Sequence, residues 1–201
     1  MAPRNGRCKV NMKDISLIGF MGCGKSSVGK ILATLLPECR LIDLDTYIEE
    51  KQGKNIPEIF NEYGEAAFRR MEREALEEIF SDKSRPRAIL SLGGGTVTSE
   101  LCRQLIRQHT DCFYLRATTD TLLDNLEGHS DGRPMLNPAQ PVEAQSTETS
   151  SEREALRRRI ESLMQTRSPQ YLATANHIID IDGLSFAQIA EAVEDNILNI
   201  K

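Results

Sequence analysis

A three-layer α/β sandwich around a five-stranded, mostly parallel sheet is the fold that this sequence predicts, on three observations. Short apolar runs alternate with helical periods along nearly all of the 201 residues, as in strands joined by crossover helices. Each apolar run ends in a polar or glycine-containing turn, which suits strands buried on both faces. Near the start, Gly19-Phe20-Met21-Gly22-Cys23-Gly24-Lys25-Ser26 stands between the apolar run Ile15-Ser16-Leu17-Ile18 and an amphipathic stretch from Ser27 to Leu36. That is the spacing of a phosphate-cradling P-loop in its strand–loop–helix setting.

The elements follow in order. The first strand is Ile15 to Ile18, and residues 1–14, polar and without an apolar core, read as a flexible tail ahead of one domain over 15–201. The glycines of the next loop let backbone N–H groups wrap an anion, backed by the positive end of the following helix. Lys25 adds a point charge for terminal phosphates, and Ser26 is placed to ligate the Mg²⁺ that accompanies a nucleoside triphosphate. Strand two, Arg40 to Asp43, runs into Asp43-Leu44-Asp45. If the chain stays extended there, both carboxylates leave on one side, one near the metal and the other within reach of an acceptor hydroxyl. An N-cap role for a helix beginning near Thr46 is the alternative for Asp45, and the two are compatible.

A helical excursion, about residues 46–80, carries Phe68, Met71, Ala75 and Ile79 at the spacing of a buried stripe, with Gly64 as an interruption. Arg69 and Glu72, three apart, read by themselves as a solvated surface pair. The third strand, Ala88 to Leu92, delivers Gly93-Gly94-Gly95, a costly run that suggests close backbone approach or positive φ. A helix from Thr98 to Gln108, a strand Cys112 to Leu115, and a strand His177 to Asp180 complete the sheet. Residues 126–151 are expected to form a lid, a mobile flap or else a disordered insertion: Gly128 to Pro134 is turn-forming, and Asn137 to Ser151 has almost nothing to bury. A helical stripe resumes at Leu156, Ile160, Leu163 and Met164, breaks at Arg167-Ser168-Pro169-Gln170-Tyr171, and a closing helix docks through Phe186, Ile189, Ala190, Val193 and Ile197.

Composition narrows the function. A net charge of −5 leaves no basic footprint for nucleic acid, so an anionic ligand has to be held by a local cluster of cations. Five cysteines without a C-x-x-C pair suit reduced thiols, and no run approaches a membrane span, so a cytoplasmic, monomeric protein is expected. The three histidines have no metal-like spacing.

Taken together, the loop Gly19 to Ser26, Asp43-Leu44-Asp45, Gly64-Glu65 with Phe68-Arg69-Arg70-Met71-Glu72, Gly93-Gly94-Gly95, Arg133-Pro134 and Arg167-Ser168-Pro169-Gln170-Tyr171 resemble shikimate kinase. The matching motifs cover residues 15–183. That resemblance implies a P-loop kinase fold with sheet order 2-3-1-4-5, and transfer of phosphate from ATP, with Mg²⁺, to the 3-hydroxyl of shikimate in aromatic amino-acid synthesis. By the same resemblance, Gly22, Cys23, Gly24, Lys25, Ser26 and Ser27 hold ATP, and Ser26 and Asp43 lie by the metal. Asp45, Arg69, Gly93, Gly94, Gly95 and Arg167 surround shikimate, while Lys25, Asp45 and the lid arginine Arg133, which also contacts ATP, serve catalysis. Two departures stand out: Asn125 occupies the position of an arginine that stacks on adenine in the family, and residues 137–151 are longer and more polar than the usual connection. Two alternatives stay open, a P-loop kinase of another small acid or nucleotide and a noncatalytic binding module.

Overall fold

The computed structural model describes residues 13–126 and 148–199. Five strands, β1 (Asp14–Ile18), β2 (Arg40–Asp43), β3 (Ala88–Ser91), β4 (Thr110–Arg116) and β5 (His177–Asp180), form one sheet in the order β2-β3-β1-β4-β5. Every neighbouring pair is parallel, with Leu17 opposite Ser91 on one side of β1 and Phe113 on the other. The expected architecture and strand order are both observed.

Alternation along the strands feeds two cores. Ile15, Leu17, Ile89, Phe113 and Leu115 meet α1 (Lys25–Leu35), α5 (Thr119–Leu126) and α7 (Phe186–Asn199) on one face. Ala88, Leu90, Cys112 and Tyr114 meet α2 (Leu44–Gln52), α3 (Ile56–Ser81) and α4 (Glu100–His109) on the other. The long α6 (Glu148–Thr174) reaches both: Ile160 is buried in the first core and Tyr171 in the second. Among the described residues no helix is long and apolar enough to cross a membrane.

Local chemistry fixes the helix starts that matter. Asn55 and Glu58 form a reciprocal capping box at the head of α3. Gly64, at φ 74° and ψ 171°, kinks that helix as expected, and Phe68, Ala75 and Ile79 are buried beyond it.

Three expectations are corrected. First, α2 starts at Leu44, with Asp43 as its N-cap accepting from the Thr46 N–H, so Asp43 and Asp45 do not share an extended segment. Second, α6 runs unbroken through Pro169, which removes only one N–H from the helix ladder instead of ending it. Third, Glu148–Ser151, expected in the lid, belong to α6. The rest of the expected lid, with Arg133 and residues 127–147, lies outside the described residues.

Candidate active site

The site lies beyond the carboxyl ends of β1, β2 and β3, where ligands sit in open parallel sheets. Gly19, Gly22 and Gly24 take φ of 148°, 85° and 86°, conformations that glycine alone adopts without strain. Gly24 caps α1 without a side-chain bond and no acid occupies the first turn, which leaves the leading N–H groups of α1 suited to an anion. Lys25 is buried, and its ammonium donates to the Gly19 and Phe20 carbonyls at 2.9 Å each. The cation is therefore already positioned inside the loop that it would serve.

Beside the loop, Ser26 Oγ donates to Asp43 Oδ2 at 2.6 Å and stands 3.2 Å from Ser91 Oγ. A hydroxyl and a carboxylate held together at the end of a P-loop form a hard-oxygen donor set that fits Mg²⁺, which takes one or two protein ligands and completes its shell with phosphate and water. Among the described residues no group of three or more His, Cys, Asp or Glu side chains could hold a metal by itself.

Across a cleft of about 570 Å³ from the loop stands Asp45, in the first turn of α2. Burial, with Glu72 and Asp43 nearby, pushes its carboxyl up to about 7, opposed by Lys25. Glu72 is fully buried. It accepts from Thr96 Oγ1 and pairs with Arg69 Nη1 at 2.6 Å, while Arg69 Nη2 reaches Glu65 at 3.0 Å. Burial also raises Glu72 above the usual carboxylate range, opposed by Arg69. The expected surface pair is thus largely withdrawn from solvent, with Glu72 fully buried and Arg69 half-buried, because the glycine run after β3 lets α3 approach closely. A Cβ on Gly93 would stand 2.9 Å from Asp45 Oδ1, one on Gly94 would stand 3.0 Å from Met21 N, and one on Gly95 would collide with the Arg69 guanidinium. Close approach, not positive φ, accounts for the three glycines.

Arg167, on α6, is only 3% exposed and lies close enough to Arg69 for the two charges to repel. Its guanidinium also sits over the Phe20 ring at 5.9 Å. Arg167 Nη1 and Arg69 Nε are buried with no hydrogen-bond partner among the described residues. Two neighbouring guanidiniums with buried, unpaired N–H groups retain donor capacity of the kind that pairs with a carboxylate or phosphate.

Gly22, Gly24, Lys25, Ser26, Ser27, Asp43, Asp45, Gly93 and Gly94 all line the one cleft, while Gly95 packs against the Arg69 guanidinium, which has Arg167 near it. Cys23 does not open onto it: the thiol is fully buried. Three participants escaped the sequence reading. Ser91 touches Ser26, and Tyr171 donates to the Gly94 carbonyl at 2.5 Å. Phe186, expected as a core residue of the closing helix, is 43% exposed and lines the cleft with Asn125. Asn125 Nδ2 donates to the Gly22 carbonyl at 2.9 Å, which ties this departure from the family pattern to the P-loop itself.

The shikimate kinase family model matches residues 21–197. The chain is 36% identical over 182 residues to a shikimate kinase of Sulfurihydrogenibium sp., covering 90% of this chain and 96% of that protein. It is 37% identical to that of Chlorobaculum tepidum, over 91% of each. Among solved structures, shikimate kinase from Acinetobacter baumannii in complex with shikimate superposes with a TM-score of 0.77 at 29% identity, over 94% of this chain and 96% of that one. The Bacteroides thetaiotaomicron shikimate kinase gives 0.77 at 29%, over 93% and 99%. Agreement of this extent in sequence, covered length and fold shows that the chain belongs to the shikimate kinase family.

Proposed function

We propose that the chain transfers the γ-phosphoryl group of ATP to the 3-hydroxyl of shikimate, giving shikimate 3-phosphate and ADP. The observation that carries this reading is the pair of neighbouring guanidiniums of Arg69 and Arg167, each with a buried N–H left unpaired among the described residues, with Arg69 against Gly95 at the end of the glycine run that lines the cleft together with Asp45. Shikimate is a small carboxylate bearing ring hydroxyls. The two guanidiniums fork onto its carboxylate, the floor of Gly93, Gly94 and Gly95 admits the ring, and Asp45 accepts the proton of the attacking hydroxyl. The hydroxyl oxygen then bonds to the γ-phosphorus as the bond to the β–γ bridging oxygen breaks. Lys25 and the N–H groups of the loop and of α1 hold the charge on the phosphate oxygens. Ser26 and Asp43 would hold Mg²⁺, which when bound neutralises phosphate charge. Arg133, outside the described residues, is assigned by family resemblance to the same neutralisation from the lid.

For the nucleoside, the phosphate cleft adjoins a second one of about 390 Å³, with Asn125 and Phe186 common to both. An exposed aromatic ring beside the P-loop offers the base a stacking surface where the family pattern has an arginine. A coupled ADP-release assay with shikimate, quinate, gluconate and nucleoside monophosphates tests the assignment. Shikimate should stand well above every other acceptor, and preference for a nucleotide acceptor would refute it.

A further inference from the structure

The hydroxyl of Tyr171 has no place in the chemistry above, yet it bonds to Gly94, a residue that lines the cleft. The ring is fully buried on α6 and stacks on Tyr114 of β4, with centroids 4.9 Å apart and planes 22° apart. From that fixed stack the hydroxyl donates to the Gly94 carbonyl at 2.5 Å, across 77 residues of sequence. Burial raises the phenol well above its usual range, so it remains a donor. Gly94 in turn lies against the P-loop, since a Cβ there would stand 3.0 Å from Met21 N. One helical turn earlier on α6 is Arg167, one of the two arginines of the acceptor clamp, whose side chain is hydrogen-bonded to the same phenol oxygen, so a loss of acceptor affinity in a Tyr171 variant reports on that contact and a loss of turnover at unchanged affinity reports on the floor.

We propose that Tyr171 is a positioning residue, whose hydroxyl seats the Gly93–Gly95 floor against the P-loop and so sets the alignment of the acceptor hydroxyl with the terminal phosphate. The inference rests on the kinase reading given above. The peptide bonds of the described residues are all trans. A carbonyl held toward Tyr171 therefore turns the following N–H, that of Gly95, the opposite way, out of the core beneath α6. The carbonyls of the flanking glycines are held by their own turn: Gly93 accepts from Thr96 N–H at 3.1 Å and Gly95 from Thr98 N–H at 2.9 Å. Only Gly94, the residue touching the P-loop, is fixed from another layer of the fold. A shift of about 1 Å between reacting groups can cost on the order of 100-fold in rate with little change in binding. Loss of this hydroxyl should therefore appear in turnover before it appears in affinity.

The test compares the parent protein with Tyr171→Phe, which keeps the stacked ring, and with Tyr114→Phe. The latter removes a hydroxyl from the same stack, but one that bonds toward Ser168 and not the floor. Turnover is counted per ATP-binding site titrated by calorimetry, so partial unfolding does not mimic the loss. Affinities for shikimate and ATP, and the ratio of ADP released to phosphorylated acceptor, are measured alongside. The expected result for Tyr171→Phe is a kcat lower by about 10- to 100-fold, both affinities within about 3-fold, and more than one ADP per product as water competes with a misaligned hydroxyl. Tyr114→Phe should stay within about 3-fold of the parent kcat. The inference is overturned if Tyr171→Phe keeps kcat within about 2-fold, if both variants lose turnover equally, or if the loss follows weakened acceptor binding alone. A parent protein inactive on shikimate would instead refute the kinase reading.

Discussion

Replacing Arg167 by lysine tests the acceptor clamp where its geometry is least compromised by other duties. Arg69 is already engaged, with Nη1 on buried Glu72 and Nη2 on Glu65, so it has mainly its Nε to offer. Arg167 keeps a buried, unpaired Nη1 and packs on Phe20, and so should supply the stronger limb of the fork. Lysine retains the charge and can still lie over the Phe20 ring, but it loses the planar pair of donors. A hydrogen bond to a charged group is worth about 1.5–3 kcal/mol, so loss of one limb weakens shikimate binding by about 10- to 150-fold at roughly 1.4 kcal/mol per decade. Arg69→Lys should weaken it less through the acceptor and destabilise the fold more, because Glu72 has no exposure and depends on that guanidinium. Calorimetric titration with shikimate and separately with a non-hydrolysable ATP analogue measures both ligands. ATP affinity should move by less than about 3-fold, since Lys25 and the loop are untouched. Equal weakening of the two ligands, or no weakening of shikimate, would refute the clamp and leave these arginines structural.

Asp45→Asn preserves shape while removing the proton acceptor, so kcat should fall by about 100- to 10,000-fold with modest loss of ATP binding; a nearly unchanged kcat would reduce Asp45 to a residue of the first turn of α2. Cys23 is fully buried, so iodoacetamide should label the peptide containing residues 20–26 far more slowly in the native protein than in denaturant, as read by mass spectrometry. Equal labelling rates would contradict the described packing of the loop. Phe186→Ala should weaken ATP by about 5- to 150-fold, the range of one base–aromatic stack, and leave inorganic tripolyphosphate unchanged. Equal weakening of both would show that the ring supports the loop and not the base.

The sheet was legible because its signals are local. Each strand boundary lies within about two residues of the expected one, and the P-loop is set by eight consecutive residues. What stayed hidden depends on contacts between distant parts of the chain. The Arg69–Glu72 pair has the spacing of any exposed helical ion pair, and the approach of Gly93 and Thr96, in the turn after β3, covers it. The glycine run allowed two explanations, and the chain conformation selects close approach. Pro169 read as a break because local propensity disfavours it inside a helix, whereas anchoring of Tyr171 by Tyr114 and Gly94 holds the helix through it. Phe186 fell on the same helical stripe as Ile189 and Val193, and its position at the first residue of α7 places it at the mouth of the cleft instead.

The most direct measurement is of product identity and stoichiometry. Protein, Mg²⁺, ATP and shikimate are incubated together, and ADP and the phosphorylated acceptor are followed by ³¹P and ¹H nuclear magnetic resonance. The expected result is one shikimate 3-phosphate for each ADP, with ADP formation negligible when shikimate is omitted. ADP released at the same rate without shikimate, or phosphate found on another hydroxyl, would contradict the assignment.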